Sequence, residues 1–187
     1  EICACLVGSE MCIRDRDNVI YEICNEPNGA VTWKKHIKPY AKTIIGTIRK
    51  YSKNAVIVVG TPTWSQDVDV VAQSPLRSKN VMYALHFYAA THKEWIQDKL
   101  KKAHKKGLPV MVTEFSICDA SGNGALDKAS ARKWMKLLDK YNISYTAWSL
   151  CNKNESSALI ESSCNKTSGW TRSNLSPAGK WYFDQTK

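Results

Sequence analysis

The chain has 187 residues, 43% of them hydrophobic, and a formal net charge of +10. That is enough for one domain with a real core, and the absence of any 18-residue apolar run argues against a membrane-spanning helix. The basic residues sit on predicted helix faces, as in Lys99-Leu100-Lys101-Lys102-Ala103-His104-Lys105-Lys106, without interleaved aromatics, so a solvated face is favoured over nucleic-acid binding.

The first residues stand apart. They lack the basic region and apolar core of a signal peptide. Leu6 to Asp15 read codon by codon from the DNA adapter of transposase-based sequencing libraries, and Cys5 and Arg16 fit its partial end codons. Residues 1–16 are therefore expected to be a non-native tail, with residues 17–187 forming the domain; sequencing the source DNA across the junction tests this. Setting the tail aside removes Cys3, Cys5 and Cys12 and leaves Cys24, Cys118, Cys151 and Cys164, without CxxC spacing, so a zinc site is not expected. Cys24 reads as a small core residue, and Cys151 and Cys164 flank a loop across which an oxidising compartment would allow pairing.

From Asp17 the pattern alternates. Asn18 to Cys24 reads as a strand, and Trp33 to Tyr51 as a helix with Ile37, Tyr40, Ile44, Ile45 and Ile48 at helical spacing. Val56 to Gly60 is a second strand, Thr61 to Gln66 a loop and Asp67 to Ala72 a short helix. Val81 to Phe87 is a third strand, followed by a helix over Lys93 to Lys106 that Gly107 and Pro109 stop. Pro109 to Thr113 is a fourth strand, and Lys128 to Tyr141 a helix with Trp134, Leu137, Leu138 and Tyr141 on one face. Ser144 to Ser149 is a fifth strand, and a last helix lies near Ser176 to Gln185.

Strand, loop and helix repeated five times predict βα units on a parallel sheet. A doubly wound sheet would usually carry a phosphate-binding glycine loop after its first strand, and neither GxGxxG nor GxxxxGK[ST] occurs. Polar and aromatic residues collect instead at the C-terminal strand ends: Asn25, Glu26, Trp64, His86, Tyr88, Glu114 and Trp148. That clustering favours a (β/α)8 TIM barrel, α/β in class. A whole barrel takes roughly 250 residues, so five units correspond to its C-terminal part, about strands 4–8 with their helices. Such a piece leaves open sheet edges and uncovered apolar surface.

Two carboxylates close apolar strands, Glu26 before a Pro-Asn-Gly turn and Glu114 after Val110-Met111-Val112-Thr113. One alone reads as a surface glutamate before a turn. Two in the same setting suit glycoside hydrolysis, which needs an acid for the leaving oxygen and a second carboxylate. Asn25 can donate its amide to a sugar hydroxyl. His86 and Tyr88 alternate on one strand, and Tyr88 is placed to donate to a neighbouring carboxylate and keep it charged. His86 by itself reads as a satisfied core histidine. Trp64 and Trp148 offer indole faces on which sugars stack, or core packing.

These segments resemble glycoside hydrolase family 5, in particular its bacterial endo-β-1,4-glucanase (cellulase) branch. The resemblance runs through Ile20-Tyr21-Glu22-Ile23-Cys24-Asn25-Glu26-Pro27, Val59 to Asp67, His86-Phe87-Tyr88-Ala89, Val112-Thr113-Glu114-Phe115, Asp119 to Gly124, and Trp148 to Ser157, and covers essentially Asp17 to Lys187. It implies a retaining endoglucanase in which Glu26 is the acid/base and Glu114 the nucleophile, helped by Asn25, His86 and Tyr88. Trp64 would stack on the leaving-group side, and Trp148, Lys153 and Glu155 would hold a glucosyl unit on the other. It implies a β-glucan substrate, no metal or cofactor, no membrane or nucleic-acid partner, and secretion of the intact parent. Phe115 and Ser116 depart from the Trp and Gly that this branch often has after the nucleophile. The family's full barrel also supplies an arginine from its second strand and a histidine from its third, which a chain starting at the fourth strand lacks. The alternatives are a related β-glycanase acting on mannan, xylan or mixed-linkage glucan, and an inactive fragment with weak glycan binding.

Overall fold

The computed structural model describes residues 18–185; the expected tail, with Cys3, Cys5 and Cys12, lies outside them. Five strands form one parallel sheet in chain order: β1 (Ile20–Glu22), β2 (Val56–Val59), β3 (Val81–Tyr88), β4 (Val110–Ser116) and β5 (Tyr145–Ala147). The connecting helices are α1 (Lys38–Tyr51), which continues a π-helical turn over Trp33–Ile37, then α2 (Val68–Val71), α3 (Glu94–Lys105) and α4 (Lys128–Lys140); α5 (Pro177–Gln185) follows β5. This is part of a (β/α)8 barrel, as the alternation predicts. Among the described residues β1 and β5 are edges, and Ile20 on β1 is 51% exposed.

The period-2 geometry of strands sorts the side chains. Ile57, Val59, Tyr83, Leu85, Phe87, Val112 and Phe115 join one core with the helix residues Ile37, Ala41, Ile45, Ile96, Leu100, Trp134 and Leu138. Val58 and Ala84, between them in sequence, are buried but outside that core, so His86 and Tyr88 share their inner side. At the centre of the outer core, Trp134 of α4 stacks on Phe87 with ring centroids 3.9 Å apart, and Phe87 stacks on Phe115 at 5.2 Å. Trp134 Nε1–H also donates to the His92 carbonyl at 2.8 Å.

Several expectations need correction. β1 ends at Glu22 rather than Cys24; Ile23 N–H still donates to Val58 O, after which the chain turns across Gly60. Cys24 is therefore half-buried beyond the strand, not a core strand residue. β5 is shorter than Ser144 to Ser149, because after Trp148 N–H donates to Phe115 O the Ser149 N–H turns to Ser157 O. Tyr40 does not join the buried face of α1: it is exposed, and its hydroxyl donates to the Ile23 carbonyl at 2.7 Å. Cys151 and Cys164 are free thiols, Cys151 Sγ lying 3.2 Å from Ser149 Oγ. The loop expected after β2 contains a helical turn, Pro62–Ser65.

Gly60 shows how tightly β1 is seated. A Cβ there would lie 2.3 Å from Cys24 O and 2.9 Å from Asn25 O, both backbone atoms. Gly60→Ala must push the loop carrying Asn25 and Glu26 away, and we expect it to destabilise the domain by about 1–3 kcal/mol, read as a lower thermal midpoint; an unchanged midpoint would rule out the close approach.

Candidate active site

The site lies at the C-terminal ends of β1, β3 and β4. Asn25 and Glu26 occupy the loop after β1, held from behind by the turn after β2. Ser65 Oγ donates to Asn25 O at 2.7 Å, Trp64 N–H donates to Pro27 O at 3.1 Å, and Asn28 Nδ2 donates to Glu26 O at 3.0 Å. That turn takes an uncommon form: Thr63, Trp64 and Ser65 all have positive φ, near 55°. Non-glycine residues avoid this region unless their surroundings impose it. Here it lifts the Trp64 indole clear of the core, 49% exposed beside the Glu26 loop.

His86 is buried, and its Nδ1 lies 2.8 Å from Glu26 Oε1. Its Nε2 lies 2.9 Å from Thr113 Oγ1, and Thr113 in turn donates to Glu22 Oε1 at 2.7 Å. Two residues along β3, the Tyr88 hydroxyl donates to Glu114 Oε1 at 2.8 Å. Glu114 Oε2 is 3.9 Å from His86 Nδ1. One ligand-type atom each from Glu26, His86 and Glu114 fit within 4.8 Å of one another. His86 Nδ1 and one oxygen of each carboxylate are engaged in the hydrogen bonds just described.

The electrostatics follow from burial and neighbours. Burial pushes the Glu114 carboxyl above its ordinary range, against the Tyr88 hydrogen bond and the His86 charge, which favour the anion. Burial works to lower His86, but the nearby Glu22 carboxylate, the hydrogen bond to Glu26 and the charge of Glu114 outweigh it and raise the imidazole. Burial first, and then the bond to Glu114, push the Tyr88 phenol up, so it stays a donor. His92 behaves in the opposite way. Burial, helped by the Lys99 charge, lowers it to about 4, which leaves a neutral ring whose Nδ1 accepts the Tyr88 N–H at 2.8 Å. His92 thereby anchors the end of β3.

The structure brings Glu26, His86, Tyr88 and Glu114 together, with Asn25 exposed beside Glu26 and Trp64 at the margin. Trp148 follows β5 and is 44% exposed. Lys153 and Glu155 stand on the loop after it, with Lys153 Nζ 3.9 Å from Glu155 Oε1 and Ser157 Oγ donating to that same oxygen at 3.1 Å. They line a separate concavity of about 420 Å³ with Asn123, Leu126, Ile160 and Ser176; neither Glu26 nor Glu114 lines it. Glu22, Ser65, His92 and Thr113 went unassigned in the sequence. Thr113 directly precedes Glu114, so strand alternation places it on the opposite face, and only a strand irregularity could have signalled otherwise.

Residues 9–154 match the family described as cellulase (glycosyl hydrolase family 5). The chain belongs to this family. An endoglucanase of Clostridium saccharobutylicum is 51% identical over 162 residues, which cover 87% of this chain and 36% of that protein. Endoglucanase 5 of Pectobacterium carotovorum is 44% identical over 170 residues, covering 91% and 34%. Among solved structures, the catalytic domain of a Thermobifida fusca endoglucanase in complex with cellotetraose superposes with a TM-score of 0.88 at 34% identity, covering 98% of this chain and 63% of that one. The family 5 chain thus spans about a third of the length of these two curated relatives. Among its described residues no helix is long and apolar enough to cross a membrane.

Proposed function

We propose that this chain carries the acid/base and the nucleophile of a retaining endo-β-1,4-glucanase. The observation that carries the reading is the pairing of Glu26 and Glu114, with one carboxylate oxygen of each within 4.8 Å of the other. Retaining glycosidases hold their carboxyl groups about 5–5.5 Å apart, whereas inverting enzymes leave about 6.5–9.5 Å for a water. The partners divide the roles. Tyr88 donates to Glu114, which suits a carboxylate that must attack the anomeric carbon as an anion. Glu26 faces His86, a group able to offset its charge as it gives and takes a proton.

Glu26 protonates the leaving glycosidic oxygen while Glu114 forms a covalent glycosyl ester. Glu26, now a carboxylate, then takes a proton from water as its oxygen attacks the ester, and the β-configuration is restored. Asn25 donates its amide to the sugar 2-hydroxyl, and Trp64 offers a stacking face on the Glu26 side. Trp148 offers a stacking face for the glucosyl unit on the other side, and Lys153 and Glu155 meet the part of the glucan chain that extends into the concavity they line. The cellotetraose bound by the T. fusca relative is a ligand of the same class.

The test is hydrolysis of carboxymethylcellulose by residues 17–187, with Glu26→Ala as control, and NMR of the first-formed anomer. Activity that vanishes in the control, with a β product, supports the proposal; an α product overturns it. Faster turnover of mannan, xylan or mixed-linkage glucan would reassign the substrate, and glycan binding without turnover would reduce the chain to a binding fragment.

Tyr88→Phe probes the nucleophile. Without the hydroxyl the Glu114 anion loses a donor, worth about 1.5–3 kcal/mol for a bond to a charged group. Glu114 then protonates at higher pH, so the acid limb of the pH–rate profile moves up and turnover falls roughly 10-fold or more. An unmoved acid limb would sink the assignment of Tyr88.

A further inference from the structure

The β4 strand is irregular where the site needs it. Ala84 and His86 on β3, two residues apart, pair with Met111 and Glu114 on β4, three apart, and the pairing with β5 shifts over the same stretch, between Val112 and Phe115. In a regular strand Thr113 and Glu114 would point to opposite faces. The extra residue is a bulge, a device that re-aims a side chain. Both neighbours therefore reach the mouth, Glu114 to Tyr88 and Thr113 to His86 and Glu22.

Counting protons along this line settles their direction. A hydroxyl has one hydrogen to donate, and an ionised carboxylate only accepts. Thr113 gives its hydrogen to Glu22 at 2.7 Å. Its 2.9 Å contact with His86 Nε2 can then be a hydrogen bond only if Nε2 carries the proton. The ring is faced by three carboxylates: Glu22 from β1, Glu26 from the loop after it, and Glu114 from β4, at 3.9, 2.8 and 3.9 Å. Tyr88 on the same strand as His86 points its hydrogen at Glu114, not at the ring. This environment favours the imidazolium, with Nδ1–H directed at Glu26.

We propose that Glu22 and Thr113 are positioning residues that pin a proton on His86 Nε2 and hold the ring as a cation, so that Nδ1–H stays on one Glu26 oxygen and the other oxygen alone serves the glycosidic bond. The inference rests on Glu26 being the acid/base. Across the cycle the Glu26 oxygen remote from His86 releases its proton to the leaving oxygen and recovers one from water. His86 keeps both of its protons and acts as a fixed counter-charge that makes the Glu26 anion less costly to form.

The ring can be read directly by long-range ¹H–¹⁵N correlation on the ¹⁵N-labelled full chain, without substrate, near neutral pH. The parent and Thr113→Ser are expected to show both His86 nitrogens protonated. Thr113→Val, of nearly the same shape, and Glu22→Gln, at an exposed edge position, are each expected to shift the ring toward the neutral form. Turnover is expected to drop about 10-fold in Thr113→Val, the size of one hydrogen bond to a charged group, with the basic limb of the pH profile moving up because the Glu26 anion loses its counter-charge. A parent ring with a bare Nε2, or a ring signal unchanged in both Thr113→Val and Glu22→Gln, overturns the proposal. Because the ring is observed without turnover, this failure is separate from failure of the glucanase reading, which the carboxymethylcellulose assay decides.

Discussion

Glu114→Gln is expected to lower polysaccharide turnover by about 10³-fold or more, since removing the proposed nucleophile from a set that acts as a unit forfeits most of the chemical acceleration. The substitution keeps shape and keeps an oxygen to accept the Tyr88 hydroxyl, so the unfolding midpoint should barely move. The partner experiment is trapping with an activated 2-fluoro-glucoside, which slows hydrolysis of the covalent intermediate: mass spectrometry should place the label on Glu114. Normal turnover in Glu114→Gln, or a label elsewhere, would overturn the assignment. The pH dependence gives a further check. Burial raises the Glu114 carboxyl, so its active anion is lost as pH falls through that raised value, and the acid limb should lie above that of an ordinary exposed glutamate.

Trp134→Ala should cost about 3–5 kcal/mol, the range for deleting a large buried aromatic. That is a large share of the roughly 5–15 kcal/mol that holds a domain folded. Trp134 has no exposed surface and stacks on Phe87, which stacks on Phe115. Phe87 sits between His86 and Tyr88, and Phe115 follows Glu114. The three rings are therefore the outer wall of the two strands whose inner sides carry His86, Tyr88 and Glu114, and removing the first lets both strands shift. Turnover should fall together with stability, because a misplacement of about 1 Å can cost on the order of 100-fold. Trp134→Phe separates two contributions: it retains the stack but abandons the His92 carbonyl, a loss of about 1 kcal/mol. Urea denaturation measures both, and a cost below 1 kcal/mol for the alanine would contradict the role given to the stack.

The βα order was legible because each helix declares its period within its own residues. Ile96, Leu100 and Ala103 line the buried face of α3, and Trp134 and Leu138 that of α4. Tyr40 has the right spacing on α1 yet lies outside the core, since spacing does not say where a neighbour stops covering a helix. Strand ends were less legible: after β1 and β5 a single further amide, of Ile23 and of Trp148, still reaches the neighbouring strand before the chain turns away. The left-handed turn at Thr63 to Ser65 carries no glycine to announce it, and is held by bonds to residues some 40 positions away.

The sequence by itself determined the parallel βα order and the two glutamates at strand ends with Asn25, His86 and Tyr88 among their candidates, because alternation and turn chemistry are properties of residues next to one another. Only the tertiary structure decided that Glu26 and Glu114 meet within 4.8 Å, that His86 bridges toward Glu22 through Thr113, and that Lys153 and Glu155 line a different concavity. Distances between positions 26, 86 and 114 depend on the curvature and register of the whole sheet. A single extra residue in β4 changes which side chains face inward, and no local pattern records it.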